Sequence, residues 1–216
     1  MKSVLISIKP KWCELIASGK KTIEVRKNSP KIETPFKCYI YSTLDGGVKG
    51  DRLVKDGRAS NAVCGMVIGE FVCDKFVRTC GWRLRGNTQQ CAKRTVAEAE
   101  LPKLACLTID EIVDYAGSEN REVVGWHISD LKIYDKPREL SEFWAYNEEL
   151  HKRYDSEEDF CCYNDTNEYG EALTDCGDAY NNILNCYRCW GEWSGWCHHV
   201  TRPPQSWCYV EELQDV

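Results

Sequence analysis

Lys21, Glu24 and Arg26 lie just behind a glycine, in the stretch Gly19-Lys20-Lys21-Thr22-Ile23-Glu24-Val25-Arg26, which spells G-x-K-x-x-E-x-R. From Thr22 to Arg26 polar and apolar residues alternate with period two, as in a half-buried strand. Ile23 and Val25 therefore share one face, and Thr22, Glu24 and Arg26 the other. A carboxylate thus stands beside a planar guanidinium, with the Lys21 ammonium at the strand mouth. Such a set can grip a phosphate or a base edge through the arginine fork and accept from an exocyclic amine through the glutamate. On an open sheet the same pair would be a weak surface contact, so the chemistry depends on a concavity around it.

A second candidate lies far along the chain. Cys186-Tyr187-Arg188-Cys189 is a C-x-x-C pair, with Cys197-His198-His199 after it and Cys161, Cys162 and Cys176 before it. Two thiolates on one turn can bind one ion, and a tetrahedral zinc needs two further ligands, for which Cys176 and Cys197 are the best placed. The second C-x-x-C that would make the pattern specific is missing, so local disulfides or free thiols fit the same spacing. A zinc there would be structural, stapling a polar excursion with little apolar core. A third stretch, Arg78 to Arg94, places Trp82 among arginines, which suits either a solvated loop or single-strand stacking.

The elements that must position these residues follow from periodicity and punctuation. A strand is expected over 2–8, then a helix from Pro10 to Ser18, with proline in its first turn and Gly19 as its stop. Strands follow near 22–27 and 36–43. A polar loop bracketed by Asp45-Gly46-Gly47 and Asp56-Gly57-Arg58 leads into a long strand over 62–76 that carries Glu70 and is interrupted by Gly65 and Gly69. Residues 95–117 are helix-prone, with a T-x-x-E capping box at Thr108. A last long strand runs from Glu122 to Tyr134 and holds Trp126.

Composition points to a soluble globular chain: 43% of residues are hydrophobic and 29% charged. No apolar run approaches the roughly 20 residues of a membrane span, and the N-terminus lacks a secretory apolar core. No membrane partner and a cytoplasmic location are therefore expected. Cys38, Cys64 and Cys73 sit singly in apolar strands and read as reduced core thiols. Charge is divided unevenly: residues 1–94 hold 19 Lys/Arg against 8 Asp/Glu, whereas residues 95–216 hold 9 against 26. The basic half carries the motif and favours a phosphate-bearing partner.

With Val4-Leu5-Ile6-Ser7-Ile8-Lys9-Pro10 ahead of it and Phe36-Lys37-Cys38-Tyr39-Ile40-Tyr41 behind, the motif resembles the signature of the ASCH domain. The resemblance covers roughly residues 1–143 and resumes at Thr201 to Glu212, a closing segment like that of prophage-encoded bacterial ASCH proteins. It implies an α+β fold, a small PUA-like β-barrel with flanking helices. It also implies three segments: the barrel over 1–143, an acidic Cys-rich insertion over 144–200, and a closing strand over 201–216. The family's pocket beside the helix is taken to hold a nucleotide or modified base. Lys21, Glu24 and Arg26 match the signature, and Trp126, Gln205, Ser206 and Trp207 join them as ligand-binding candidates by inference. RNA or a modified nucleoside or nucleotide is the implied partner, with no cofactor required.

Two other functions fit the same sequence. One ASCH branch hydrolyses acetylcytidine with a lysine-activated threonine and a later glutamate. Lys21 matches that lysine and Glu70 plausibly that glutamate, but Glu24 stands where the branch has its threonine. An amidohydrolase or ribonuclease here would use Lys21, Glu24 and Glu70 as catalytic residues, a carboxylate activating water while Lys21 steadies the oxyanion. The other reading is a prophage interaction module that binds a protein partner through residues 144–200.

Overall fold

The computed structural model describes residues 1–44, 49, 52–55, 58–87, 89, 92–93, 95–146 and 199–213, with side chains outside 52–62. In chain order the elements are β1 (Lys2–Ile8), α1 (Pro10–Ala17), β2 (Ile23–Arg26), β3 (Phe36–Ser42), β4 (Arg52–Lys55), β5 (Arg58–Val63), β6 (Met66–Cys73) and β7 (Phe76–Cys80). They continue with α2 (Gly81–Leu84), α3 (Val96–Ala105), α4 (Ile109–Ala116), β8 (Glu122–His127), β9 (Ser129–Arg138), a 3-10 turn (Leu140–Glu142) and β10 (Trp207–Glu211). The chain divides into two bodies, one of residues 3–139 with 203–208 and one of residues 1–2, 140–202 and 209–216.

The larger body is α+β. Its main sheet places β1, β3, β6 and β9 in that order, and its second sheet has the order β2-β8-β7. β1 and β3 run parallel, which a tight hairpin cannot achieve; α1 and β2 supply the crossover. The central strands β1, β3 and β6 are largely apolar, and Val4, Leu5, Ile6, Cys38, Tyr39, Ile40 and Phe71 are all buried, as expected of strands covered on both faces, whereas β9 is polar and has no buried residue. A second core, of Ile23, Val25, Val77, Leu101, Ile112 and Val123, packs the β2 sheet against α3 and α4.

The expected barrel is not closed among the described strands. Closure needs every strand laddered on both edges with a common stagger. Four-residue β2 instead pairs with β8, placing Glu24 opposite Trp126, while β1 pairs with β3, so the two sheets stay separate. The single strand expected over 62–76 is split by a turn at Cys64 and Gly65, where Gly65 has φ +72°, and again after Cys73. The expected 122–134 strand breaks at Ile128. The basic stretch around Trp82 folds as α2 rather than an open loop. There Arg83 pairs with Glu98 at 2.6 Å, and Arg85 pairs with Asp110 and with Glu119. Those arginines are engaged within the fold and are not a free phosphate-binding row.

The helices start where their caps dictate. Thr108 and Glu111 form the expected capping box, and Thr95 with Glu98 forms another at α3. The smaller body is described only in part: Trp144 bridges to His199, Ala145 bridges to Val210, and the Glu212 N–H donates to the Met1 carbonyl. Cys176, Cys186, Cys189 and Cys197, the zinc candidates, lie outside the described residues, as does nearly all of the 144–200 segment. Among the described residues no cluster of metal-ligating side chains occurs, and no helix is long and apolar enough to cross a membrane. Cys38, Cys64 and Cys73 are buried and form no disulfide among the described residues. Burial raises the thiol of Cys38 and pushes that of Cys73 up to about 12.

Candidate functional site

The C-terminal turn of α1 places the motif. Gly19 takes the left-handed backbone, φ +71°, that a side chain would resist. The N–H groups of Lys20 and Lys21 then return to the Leu15 carbonyl, and the chain enters β2 with Lys21 already turned inward. Lys21, Glu24 and Arg26 are 2%, 6% and 8% exposed, an unusual burial for three charged residues within six positions.

Burial of that kind requires pairing. The Lys21 ammonium lies 3.3 Å from Glu24 Oε2, and Arg26 Nη2 lies 3.1 Å from Glu24 Oε1. Lys21 Nζ also donates to the Ala105 carbonyl at 2.7 Å. That carbonyl closes α3 and has no partner within the helix, so a cation there meets both the free acceptor and the negative end of the helix dipole. Arg26 Nη2 donates to the Ser7 carbonyl at 2.5 Å. Arg26 Nε is buried with no acceptor.

The triad opens onto a cavity of about 700 Å³. Lys9, Lys11 and Trp12 at the start of α1 form one wall, and Leu107, Glu111 and Tyr115 of the α4 region another. Pro203, Pro204, Gln205 and Ser206 form a third. Glu111 and Tyr115 are spaced four apart on one stripe of α4, and Leu107 immediately precedes its N-cap Thr108. The 203–206 segment is held by Ser7, whose Oγ donates to the Pro204 carbonyl at 2.7 Å and whose N–H donates to the Ser206 carbonyl at 2.9 Å. Four basic side chains and two carboxylates line the wall, and Glu111 is already engaged in its capping box. The Trp12 ring has Lys11 Nζ at 4.3 Å and Lys21 Nζ at 5.2 Å from its centroid.

Of the residues singled out in the sequence, the structure gathers Lys21, Glu24, Arg26, Gln205 and Ser206 around this space. Trp126 and Trp207 are not in its wall. Their rings lie 6.1 Å apart, tilted by 54°, and Phe36 and Phe76 meet Trp126 edge-on. The two indole N–H groups clasp Asn28, one through its carbonyl and one through its side chain. Glu70 lies elsewhere too, on β6, accepting from the Tyr134 hydroxyl at 2.5 Å with Lys37 at 4.0 Å. Trp12, Tyr115, Lys9 and Lys11 were not picked out from the sequence as site residues. The signal for Lys9, Lys11 and Trp12 was their place at the N-terminal turn of the helix that ends in the motif. Tyr115 had no such signal, because α4 is eighty residues away.

Residues 6–80 match the model of the ASCH domain family, a stretch that includes the whole motif and strands β3 and β6 of the main sheet. No functionally curated protein matches the sequence. Among solved structures, the chain is similar to an ASCH protein from Zymomonas mobilis, at 20% identity over 70% of this chain and 80% of that one, with a TM-score of 0.43. A serine-to-alanine mutant of that protein aligns over 97% of this chain and 89% of its own, at 16% identity and a TM-score of 0.48. The N-terminal domain of Staphylothermus marinus McrB aligns at 13% identity over 65% and 77%, with a TM-score of 0.35. The buried triad falls inside the stretch that matches the ASCH domain model.

Proposed function

We propose that this protein binds RNA or a modified nucleoside or nucleotide in the cavity above Lys21, Glu24 and Arg26. One observation carries the reading: a mutually paired, buried triad of two cations and one anion forms the floor of a cavity with an aromatic wall and a basic rim. The floor offers charge-assisted donors and an acceptor to a polar edge. Trp12 offers a face for stacking, and Lys9 and Lys11 suit a phosphate. The size lies within the range of small-molecule sites. The PUA-like character of the family points the same way.

Hydrolysis at the same place would ask Glu24 to activate water. Both of its oxygens already face cations, and Glu70 is not in the cavity wall. Binding is tested by tryptophan fluorescence during titration with short single-stranded RNAs and nucleoside monophosphates. Saturable quenching that weakens in Trp12→Ala supports the reading. No saturation with any of them up to about 1 mM, where binding is worth only about −4 kcal/mol, overturns it. Chromatography of the same mixtures, with N4-acetylcytidine included, reports turnover.

A further inference from the structure

The hydrogen-bonding groups left over at the cavity floor follow from counting those already used. Lys21 has three N–H donors; one goes to the Ala105 carbonyl and one to Glu24, leaving one. Glu24 has about four acceptor sites, and each oxygen has given one to a cation, leaving one on each. Arg26 has five N–H donors. Those of Nη2 serve Ser7 and Glu24, leaving Nη1 and the buried Nε, which has no acceptor. Because Glu24 contacts Lys21 on one oxygen and Arg26 on the other, the order across the floor is donor, acceptor, donor.

A base edge that fits must present the complement: acceptor, donor, acceptor. Among the four RNA bases uracil alone does so, through O4, N3–H and O2. Cytosine offers donor, acceptor, acceptor; guanine offers acceptor, donor, donor; adenine offers a donor beside an acceptor. Cytosine would bring its amine against a cation and its N3 lone pair against the carboxylate, and both mismatches would sit in a desolvated site.

Resting on the reading of this cavity as a nucleobase site, we infer that it selects an imide, the uracil-type edge, and so takes uridine nucleotides or uridines modified away from that edge. Lys21 and Arg26 donate to the two ring carbonyl oxygens, and Glu24 accepts from N3–H. Substituents at C5 do not alter the edge and are compatible with it.

The test is calorimetric titration of the full chain with UMP, CMP, AMP, GMP and N3-methyl-UMP, the last of which deletes the central donor alone. Loss of a matched pair of this kind costs about 1–3 kcal/mol, or about 5- to 150-fold in affinity. UMP should therefore bind at least about fivefold more tightly than each of the other four. If CMP, AMP or GMP binds as tightly as UMP, or if N3-methylation leaves affinity unchanged, the cavity remains a nucleotide site and the imide assignment fails. If none of the five binds and short RNAs fail as well, the underlying reading fails with it. The Glu24→Gln variant, where it folds, should lose the preference for UMP over CMP. A preference retained in that variant overturns the role given to Glu24.

Discussion

Replacing Glu24 with alanine removes the anion between two buried cations, and its cost can be worked from the geometry. Lys21 and Arg26 are 2% and 8% exposed, and Glu24 meets them at 3.3 and 3.1 Å. Removing one partner of a buried pair leaves uncompensated charge and costs about 3–5 kcal/mol. Lys21 keeps the Ala105 carbonyl and Arg26 the Ser7 carbonyl. Both are neutral acceptors that contribute about 1 kcal/mol each, so the expected loss sits near the lower end, about 3 kcal/mol. For a chain of this size that is roughly 6–12 °C in Tm. The assay is urea unfolding followed by circular dichroism at neutral pH, for Glu24→Ala, Lys21→Met and the double variant. The double variant should lose less than the sum of the singles, with a coupling of about 1–3 kcal/mol. A loss under about 0.5 kcal/mol, additive with Lys21→Met, is the behaviour of an exposed pair and would refute the buried triad.

Three further outcomes are expected. Trp12→Ala should weaken nucleotide affinity by about 1–3 kcal/mol, the range for base–aromatic stacking, while leaving the urea midpoint nearly unchanged because the ring is only half-buried; a lost midpoint with retained affinity would make Trp12 a packing residue. Gly69→Ala should destabilise by about 1–3 kcal/mol through overpacking, because a Cβ there would run into the Lys132 backbone carbonyl and Ile133 on β9; hydrogen exchange of β6 and β9 amides reads this out, and unchanged protection would contradict the packing described. At Glu98 burial alone would raise the carboxyl, but the Thr95 N–H and the Arg83 guanidinium outweigh it and hold the group below its ordinary value of 4.5. Its stabilising contribution is therefore full above that value and lost as pH falls through the lower folded pKa. Glu98→Gln should flatten the acid side of the stability profile below about pH 4.5, and an unchanged acid limb would deny Glu98 that role.

The strands were legible where their neighbours were local. β1, α1, β2 and β3 fall close to their expected bounds because alternation, a first-turn proline and Gly19 all act within a few residues. The capping box at Thr108 was legible for the same reason. What the sequence did not show was long-range pairing. Whether β2 would ladder with β1, β3 or β8 depends on register across a hundred residues, and period-two alternation alone does not choose a partner. That missing information separates a closed barrel from the two open sheets. The same limit governs the site. Lys21, Glu24 and Arg26 could be grouped from one strand, whereas Trp12 and Tyr115 reach the cavity by packing. Trp126 lies opposite Glu24 in register, yet it is fully buried among other aromatics. An aromatic near a motif reads the same in sequence whether it packs or binds.

The claim on which the rest depends is that a nucleobase enters the cavity and meets the triad. Titrating isotopically labelled protein with UMP while recording amide and indole NMR spectra tests it directly. Saturable shifts are expected for the Trp12 indole N–H and for the amides of Ser7, Glu24, Arg26, Gln205 and Ser206, with the Trp126 indole comparatively still. Shifts confined to other surfaces, or none at concentrations that saturate binding, would contradict it.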